Sequence, residues 1–413
     1  MTVPPGRQGG REGAERVSLV TIALAWGRIG ITGFGGPPAH IALLRSLCVE
    51  RRGWLSAQEF EDGIAATGLL PGPASTQLAI YCAWRLRGPA GALVGGICFI
   101  VPGLVVILAL ASLFLAAHPP RLVEGAAAGA GAAVPAVAVQ AALGLLPASR
   151  RRAWEDVPGR AAGGGARARR LRWLCYLAAG GAAGALAGPL LVVVLAASGL
   201  VEAAVRAGGP RPARRPGRGV PALVGISGPA AGLAGGGVLA LAWVAFKVGA
   251  LSYGGGFVII PLMQHDAVAA YHWMTTSQFL GAVALGQITP GPVVLTVAAV
   301  GYAAAGVGGG LFATLIAFTP SFVFVMFGGP RFGRLRRSAT VQAFLAGAGP
   351  AAVGAIAGAS VPLARGLAHL WQLGLLALAC LWPLVARRGV VPALALAGAL
   401  GALAALAGAP VSR

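Results

Sequence analysis

Residues 28–40 read RIGITGFGGPPAH, and residues 69–77 read LLPGPASTQ. The first stretch carries an arginine inside an apolar run, and glycine and proline interrupt both stretches. Interrupted backbone is tolerated at membrane depth only where it lines a cavity or packs on protein, because lipid offers no hydrogen-bond partner. The two stretches therefore predict broken or re-entrant membrane helices around one site.

The same construction returns in the second half of the chain. Lys247 stands 219 positions after Arg28 (247 − 28 = 219), and Trp273 stands the same interval after Trp54. The glycines and prolines of the breaks follow the same interval, pairing Gly35, Gly36, Pro71, Gly72 and Pro73 with Gly254, Gly255, Pro290, Gly291 and Pro292. The chain is therefore two copies of one unit, and a site is expected to use both copies.

Composition indicates a membrane protein. Of 413 residues, 57% are hydrophobic and only 10% are charged, far below the roughly 25% charged residues of ordinary globular proteins. Long apolar runs alternate with short arginine-rich loops, which predicts an all-α polytopic membrane protein with about ten to twelve membrane segments. The five cysteines form neither a CxxC pair nor a metal-ligand spacing.

The basic residues that give the net charge of +21 lie between the apolar segments, where anionic lipid headgroups attract arginine. Nucleic-acid binding is therefore rejected as the reason for this charge. The loop 45–52 carries three arginines, whereas its counterpart 264–271 carries none. A later loop of the second half reverses this bias with Arg331, Arg334, Arg336 and Arg337. Opposite bias in equivalent loops predicts that the two halves are inverted-topology repeats in the inner membrane.

The apolar segments and loops divide the chain into five parts. They are a cytoplasmic tail at 1–16, a first repeat at 17–146, basic linkers with one or two membrane segments at 147–219, a second repeat at 220–361, and C-terminal membrane segments at 362–413. The sequence leaves open whether residues 173–201 form one tilted helix or a hairpin at Gly188-Pro189. Ser56 and Glu59 have the spacing of a capping box and predict a helix start.

Arg28 and Lys247 are the first candidate site residues. A cation in hydrocarbon is costly unless it has a partner or water, and none of the eleven acids lies near either residue in sequence. We interpret the missing partner as an anionic ligand. The alternative is that both side chains reach along the helix to a membrane interface.

The breaks are the second candidate. Helix starts after such breaks expose backbone N–H groups, and two of them entering from opposite sides form an anion site. Ser75, Gln77 and Gln287 would add donors, and His40 is a candidate anion ligand, proton carrier or structural donor. The predicted substrate-binding set is Arg28, Gly35, Gly36, His40, Pro71, Gly72, Pro73, Ser75, Gln77, Lys247, Gly254, Gly255, Gln287, Pro290, Gly291 and Pro292. The alternative is that glycine and proline only permit kinks and close packing.

Enzymatic chemistry has no support in the sequence. His265, Asp266 and His272 lie close together, and a polar external loop explains them better than a metal site. The spans contain no phosphate-binding loop, nucleophile elbow, HExxH motif or paired catalytic carboxylates, so we predict no catalytic residue, cofactor or metal. A membrane-embedded enzyme or assembly subunit is the weaker alternative to a transporter.

These residues resemble the chromate ion transporter family in its long two-domain form. The resemblance covers residues 20–361 and is carried in the first half by Phe34-Gly35-Gly36-Pro37, His40, Trp54, residues 70–77, Phe99 and Pro102. In the second half it is carried by residues 249–256, Pro261, Trp273, Gln287, residues 289–292 and Pro320-Ser321.

The resemblance implies export of chromate from the cytoplasm by alternating access, with chromate resistance as the result. Sulfate, a chemically similar dianion, is the alternative substrate. The family's coupling is described as proton-linked, and a homodimer stays open. The expected partners are thus the oxyanion and membrane lipid.

Overall fold

The computed structural model describes residues 17–68, 70–154, 165–186, 190–207, 237–252, 256–328, 338–385 and 389–411. Within these residues the chain forms helices and connecting turns, and no strand occurs there. The first seven α-helices are α1 (Leu19–Thr32), α2 (Pro37–Arg45), α3 (Ala57–Thr67), α4 (Ala74–Phe114), α5 (Arg121–Trp154), α6 (Ala166–Leu186) and α7 (Leu190–Ala207). The next seven are α8 (Val238–Leu251), α9 (Ile259–Gln264), α10 (Thr276–Ile288), α11 (Thr296–Gly328), α12 (Ala339–Arg365), α13 (Leu370–Val385) and α14 (Val390–Leu406).

The repeat seen in the sequence is a repeat of structure. Helices α1 and α8 begin and end 219 positions apart, and so do two short π-helices, Ser46–Arg51 and His265–Ala270. The predicted capping box of Ser56 is present at the start of α3, and Thr275 forms the equivalent box with Gln278 at the start of α10. The fold is therefore all-α, in two homologous halves.

Each half opens with two re-entrant hairpins. In the first half, α1 runs parallel to the second part of α4, because Trp26 adjoins Gly95 and Gly30 adjoins Phe99. The chain then reverses at the Gly35-Gly36 break, so α1 and α2 enter and leave on one side. The pair α3 and α4 does the same around Pro71-Gly72-Pro73, as expected for a re-entrant hairpin with this motif at its tip.

Helix α4 is bent where it reaches the membrane surface. Arg87 and Gly88 leave the helical conformation, Gly88 with a φ of 61°, and Pro89 starts the next helical part. Ala305 and Gly306 make the same bend in α11, now 218 positions later (305 − 87 = 218), so one residue is missing from the second repeat before this point. After the bend, each helix continues long enough to cross a bilayer.

The halves have inverted topology. Gly96 of α4 adjoins Phe322 of α11, and Leu108 adjoins Gly310, so the two helices run antiparallel. Because α4 and α11 are equivalent elements that cross the membrane in opposite directions, one repeat is the inverse of the other. The inversion predicted from the charge bias of the loops is confirmed.

Several helix ends lie on one side of the molecule. We call this side the basic face and define it by Arg45, Arg51, Arg52, Arg85 and Arg87. The end of α5 lies there, and α6 starts beside it, with the Trp154 and Trp173 rings 6.3 Å apart. The end of α7 returns there too, since Arg206 Nη2 donates to the Ala153 carbonyl over 3.2 Å. The positive-inside rule predicts that the basic face lies on the cytoplasmic side.

Small residues allow the helices to pack closely. On α5, Gly125 and Gly129 adjoin Gly401 of α14, and on α6, Gly180 and Gly184 adjoin the backbone of α12. A Cβ at any of these glycines would meet backbone atoms, so larger residues would push the helices apart. Thus α14, from the end of the chain, covers the first half, while α6 covers the second.

Five of the described helices are long and apolar enough to cross a membrane, and the shorter apolar helices α1, α8, α13 and α14 supplement them. Leucine, isoleucine and valine side chains are exposed along their outer faces, as a lipid-facing surface requires. The protein is therefore a multi-pass membrane protein.

The middle of the chain is more helical than the sequence suggested. Helix α5 continues past residue 146 to Trp154, and α6 begins at Ala166 with several arginines in its first turns. Residues 173–186 belong to α6 and residues 190–201 belong to α7, which favours the hairpin over a single tilted helix. The predicted boundary at residue 219 lies outside the described residues.

Candidate functional site

The tips of the two halves bind each other at the centre of the molecule. The Gly72 N–H donates to the Ser252 carbonyl over 2.9 Å, and the Gly291 N–H donates to the Gly33 carbonyl over 3.1 Å. Gly291 and Ser252 stand 219 positions after Gly72 and Gly33, so these are the same bond made twice. Each Pro-Gly-Pro tip is thus joined to the broken first helix of the other repeat.

These tips require glycine. Gly72 has a φ of +125° and Gly291 one of +98°, in the region that L side chains rarely adopt. A Cβ at Gly72 would also collide with the Gln77 amide, whose Nε2 donates to the Pro71 carbonyl over 2.7 Å. The tip is therefore tight, and Gln77 holds it closed from inside.

His40 joins three elements in the first half. Its Nε2 lies 2.9 Å from the Gly33 carbonyl, so this nitrogen is the protonated one, and its Nδ1 lies 3.3 Å from the Ser75 hydroxyl. The ring also packs edge-on against Phe99, with centroids 5.0 Å apart. Since the Gly33 carbonyl also accepts from Gly291, His40 connects the break in α1 to the tip of the other half.

Five buried polar side chains around the tips have an atom without a hydrogen-bond partner. They are Thr76 (Oγ1), Gln77 (Oε1), Ser252 (Oγ), Gln287 (Nε2) and Ser321 (Oγ). Three of these residues contact one turn. The Ser252 backbone carbonyl accepts from the Gly72 N–H, the Gln77 amide lies against Gly72, and the Ser321 hydroxyl lies 3.3 Å from where a Cβ of Gly72 would stand. The Ser252 hydroxyl lies 3.6 Å from where a Cβ of Gly256 would stand. Buried polar groups in proteins are nearly always paired, so this turn is suited to a polar ligand.

The free groups are mostly donors. Hydroxyl groups of Thr76, Ser252 and Ser321 and the amide nitrogen of Gln287 can all donate to a ligand oxygen. The free oxygen of Gln77 accepts, and would take a protonated oxygen or a water. The oxygens of an oxyanion accept hydrogen bonds from donors of this kind.

Lys247 has a partner within the protein, which corrects the interpretation that its missing partner is an anionic ligand. Its Nζ lies 2.6 Å from the Asp266 Oδ2, with side chains only 15% and 9% exposed, and it also lies 5.7 Å from the Trp243 ring centre. Asp266 is in the second π-helix rather than in a polar external loop, so that interpretation was wrong as well.

Arg28 lies elsewhere. It is exposed on α1, on the same outward face as Val20, Leu24 and Ile31. At the position equivalent to Asp266 the first half has Leu47, so the ion pair of the second repeat is not reproduced around Arg28. The structure does not bring the two cations together.

The other predicted residues fall into three groups. Pro71, Gly72, Pro73, Ser75, Gln77, His40, Gln287, Pro290, Gly291 and Pro292 lie at or beside the joined tips. Gly36, with a φ of +72°, faces the opposing tip, since a Cβ there would lie 3.7 Å from Val293, and Gly35 precedes it with a φ of +99°. Gly254 and Gly255 lie outside the described residues.

Sequence reasoning missed Ser252 and Ser321 as site residues. Ser252 occupies the repeat position of Gly33, and Ser321 that of Gly103, so neither stands out as a matched polar pair. The interval of 219 could have identified Ser252, because it assigns this residue to the position of Gly33 at the break after α1. Ser321 could be found only from the packing of α11 against the tip.

A cavity of about 170 Å³ leads to this turn from the basic half of the molecule. Its lining includes Gly72 and Ala74 at the tip, Ser149 and Arg152 near the end of α5, and one side of α12. The volume exceeds that of several water molecules. Among the described residues, no group of three or more potential metal ligands occurs.

Comparison with known proteins supports these structural features. Over residues 20–203 and 239–406 the chain matches the family model described as chromate transporter. It is 30% identical to a chromate transport protein of Cupriavidus metallidurans over 85% of this chain and 84% of that protein. It is 28% identical to a probable chromate transport protein of Synechococcus elongatus, over 86% and 88%, and 30% identical to a chromate transport protein of Pseudomonas aeruginosa, over 82% and 79%.

No solved structure matches the chain. The family model covers both halves of the inverted repeat, including the tips and the breaks that join them. On this extent of similarity, the chain belongs to the chromate transporter family.

Proposed function

We propose that the protein exports chromate across the cytoplasmic membrane by alternating access, and thereby confers chromate resistance. The observation that carries this proposal is the set of buried, unpartnered donors where the tips of two inverted repeats meet. A tetrahedral oxyanion supplies the acceptors that these donors lack, and the relatives named chromate transport protein support chromate as the ion.

The direction rests on the cavity and the charge of the faces. The cavity approaches the Gly72 turn from the basic half, which the positive-inside rule assigns to the cytoplasm. An ion would therefore load from the cytoplasmic side. Inverted repeats can exchange their conformations, which would close this path and open its counterpart on the opposite face.

We place the ion between Ser252 and Ser321, beside Gly72, with Gln287 and Thr76 as further donors. Lys247 is engaged by Asp266 and Arg28 lies on the outer surface, so neither cation is part of this site. Buried neutral donors bind an anion strongly, because hydrogen bonds to a charged group contribute roughly 1.5–3 kcal/mol each.

Uptake of labelled chromate into inside-out vesicles tests the proposal. Ser252→Ala and Ser321→Ala should each lower uptake about tenfold or more, from the loss of one such bond. Their thermal stability should be unchanged or higher, because each removes a buried hydroxyl without a protein partner. Ser360→Ala is the matched control, since that hydroxyl donates to its own helix over 2.6 Å.

Full uptake by both folded variants would remove this turn from the transport path. Arg28→Ala and Lys247→Ala, in the same vesicles, test whether either cation contacts the ion. Unlabelled sulfate added as competitor measures the alternative substrate, because hydroxyl donors recognise the oxygens of the dianion rather than its central atom.

A further inference from the structure

The cavity beside the tips has a counterpart in the other repeat, and that counterpart is closed. Gly349 of α12 lines the cavity, and among the described residues a Cβ there would meet no atom of a neighbouring element within 4 Å. Gly131 of α5 is its equivalent (349 − 131 = 218), and a Cβ there would stand 3.2 Å from the Leu280 Cβ. The same glycine thus faces open space in one repeat and helix α10 in the other.

Leu280 fills the space that is empty on the basic side. Its side chain is only 3% exposed, and its Cδ1 lies 3.4 Å from where a Cβ of Gly366, directly after α12, would stand. Gly366 is equivalent to Ala148, another lining residue of the cavity (366 − 148 = 218). Leu280 therefore packs between α5 and the end of α12, at the place that mirrors the cavity.

The equivalent helix of the first repeat does not close its own side in this way. The residue at the position of Leu280 is Glu61 of α3 (280 − 61 = 219), which is 49% exposed and pairs with Arg45. An exposed carboxylate and a buried leucine at one repeat position show that α3 and α10 pack differently. The conformation is therefore open towards the basic face and closed towards the opposite one.

Helix α10 begins at that opposite face. The ring of Phe114, the last residue of α4, lies against Gly281, the neighbour of Leu280. The second part of α4 crosses the membrane from the basic face, so its end marks the other side. Leu280 therefore stands between the joined tips and the face opposite the basic one.

The closed side holds polar groups that an ion on its way out would need. Gln287 stands at the position of Gly68, and Thr289 at that of Leu70, and both of these first-repeat residues line the cavity (287 − 68 = 219 and 289 − 70 = 219). The Gln287 Nε2 is buried and has no partner among the described residues. If α10 moved away from α5, this amide would line the opened path and donate to an oxyanion.

We propose that the oxyanion leaves between α5 and α10, and that Leu280, packed on Gly131, is the gate that keeps this exit closed. The inference rests on the proposed function for its role in export, but the opening of the contact can be measured without transport. A buried leucine is suited to a gate, because an apolar constriction excludes water and ions together.

Thiol accessibility gives the first test. Val134, one turn from Gly131 on α5, is 1% exposed, and its equivalent Ala352 lines the cavity. We would replace the five native cysteines of the full chain, introduce Val134→Cys, and add a membrane-impermeant methanethiosulfonate to spheroplasts. Labelling should be about tenfold faster when Leu280→Ala is also present, because the exit then opens locally.

Leu191→Ala is the matched control for this test. It removes an equally buried leucine side chain from α7, in a separate part of the core, and should leave the labelling rate of Val134→Cys unchanged. An equal rate with Leu280 and with Leu280→Ala would overturn the gate, and so would an equal rise in Leu191→Ala.

A cross-link tests whether the contact must open during transport. The 3.2 Å between the Cβ positions of residues 131 and 280 is close to the roughly 3.5–4.5 Å of a disulfide. Oxidation of Gly131→Cys, Leu280→Cys should therefore form the bond and abolish chromate uptake into inside-out vesicles, and reduction should restore uptake. Each single variant, treated with the same oxidant, should keep its uptake. Full uptake by the cross-linked protein would overturn the gate.

The two tests separate the gate from the proposed function. Labelling that depends on Leu280, in a protein that moves no oxyanion, would retain the gate and reject oxyanion export. Chromate uptake that the cross-link does not slow would retain export and reject the gate. If the paired-cysteine variant fails to fold, the labelling comparison decides, because Leu280→Ala and Leu191→Ala differ only in where the leucine lies.

Discussion

At the scale of single residues, the second repeat contains a buried charge pair that the first repeat lacks. Lys247 and Asp266 stand 2.6 Å apart, whereas Arg28 and Leu47 occupy the equivalent positions. Removing one partner of a buried pair leaves an uncompensated charge, which is costlier than replacing both by apolar residues. The pair therefore fixes the second π-helix against α8.

We predict that Asp266→Ala and Lys247→Ala each destabilise the protein by about 3–5 kcal/mol. The double variant Lys247→Met, Asp266→Leu should recover most of this loss, since it leaves no buried charge. The measurement is the free energy of unfolding in detergent, compared in a double-mutant cycle. Strictly additive losses would show that the two side chains do not stabilise one another.

At the scale of helices, a second buried cluster ties the hairpin of α6 and α7 to the end of α5. The Glu202 carboxylate accepts from Arg172 over 2.8 Å, from Arg206 over 2.7 Å and from the Tyr176 hydroxyl over 3.2 Å. Its side chain is only 5% exposed. By contrast, the Glu61 carboxylate, paired with Arg45 at the surface, is 49% exposed.

Glu202→Gln should therefore lower the free energy of unfolding by about 3–5 kcal/mol, because two arginines lose a shared buried counter-ion. Glu61→Gln, the matched control at the surface, should lower it by only about 0.5 kcal/mol. Thermal unfolding in detergent, followed for both variants, measures the difference. Equal shifts in the two variants would contradict a structural role for the cluster.

The broken helices are the part of the fold that could be predicted from the sequence. Glycine and proline at Gly35, Gly36 and the Pro-Gly-Pro motifs predicted the re-entrant hairpins, because these residue types set local backbone geometry. The ends of α5 and α6 were not foreseen. Arginines there suggested a loop, but their long side chains extend from helix ends while the backbone stays helical.

At the scale of the whole molecule, the inverted repeat places the two faces in different environments. The loop before α3 lies at the basic face, and the loop between α4 and α5 lies at the opposite one. Ala57 and Ala117 are exposed alanines in these two regions. They offer a matched pair of positions for testing the topology.

We predict that Ala57→Cys is labelled by a membrane-impermeant maleimide in inside-out vesicles but not in intact spheroplasts. Ala117→Cys should show the reverse, because α4 crosses the membrane between the two positions. Both variants are made without the native cysteines and checked for expression. Labelling of both positions from the same side would refute the orientation.

The sequence by itself determined the membrane class, the two homologous halves, their inversion and the glycine and proline breaks. Each of these follows from residue type and spacing along the chain, which composition and a constant interval reveal directly. Only the tertiary structure decided that Lys247 binds Asp266, that Arg28 faces outward, and that the Ser252 carbonyl and the Ser321 hydroxyl both lie beside Gly72. These are contacts between residues far apart in the chain, and they depend on how the inverted hairpins pack rather than on any local pattern.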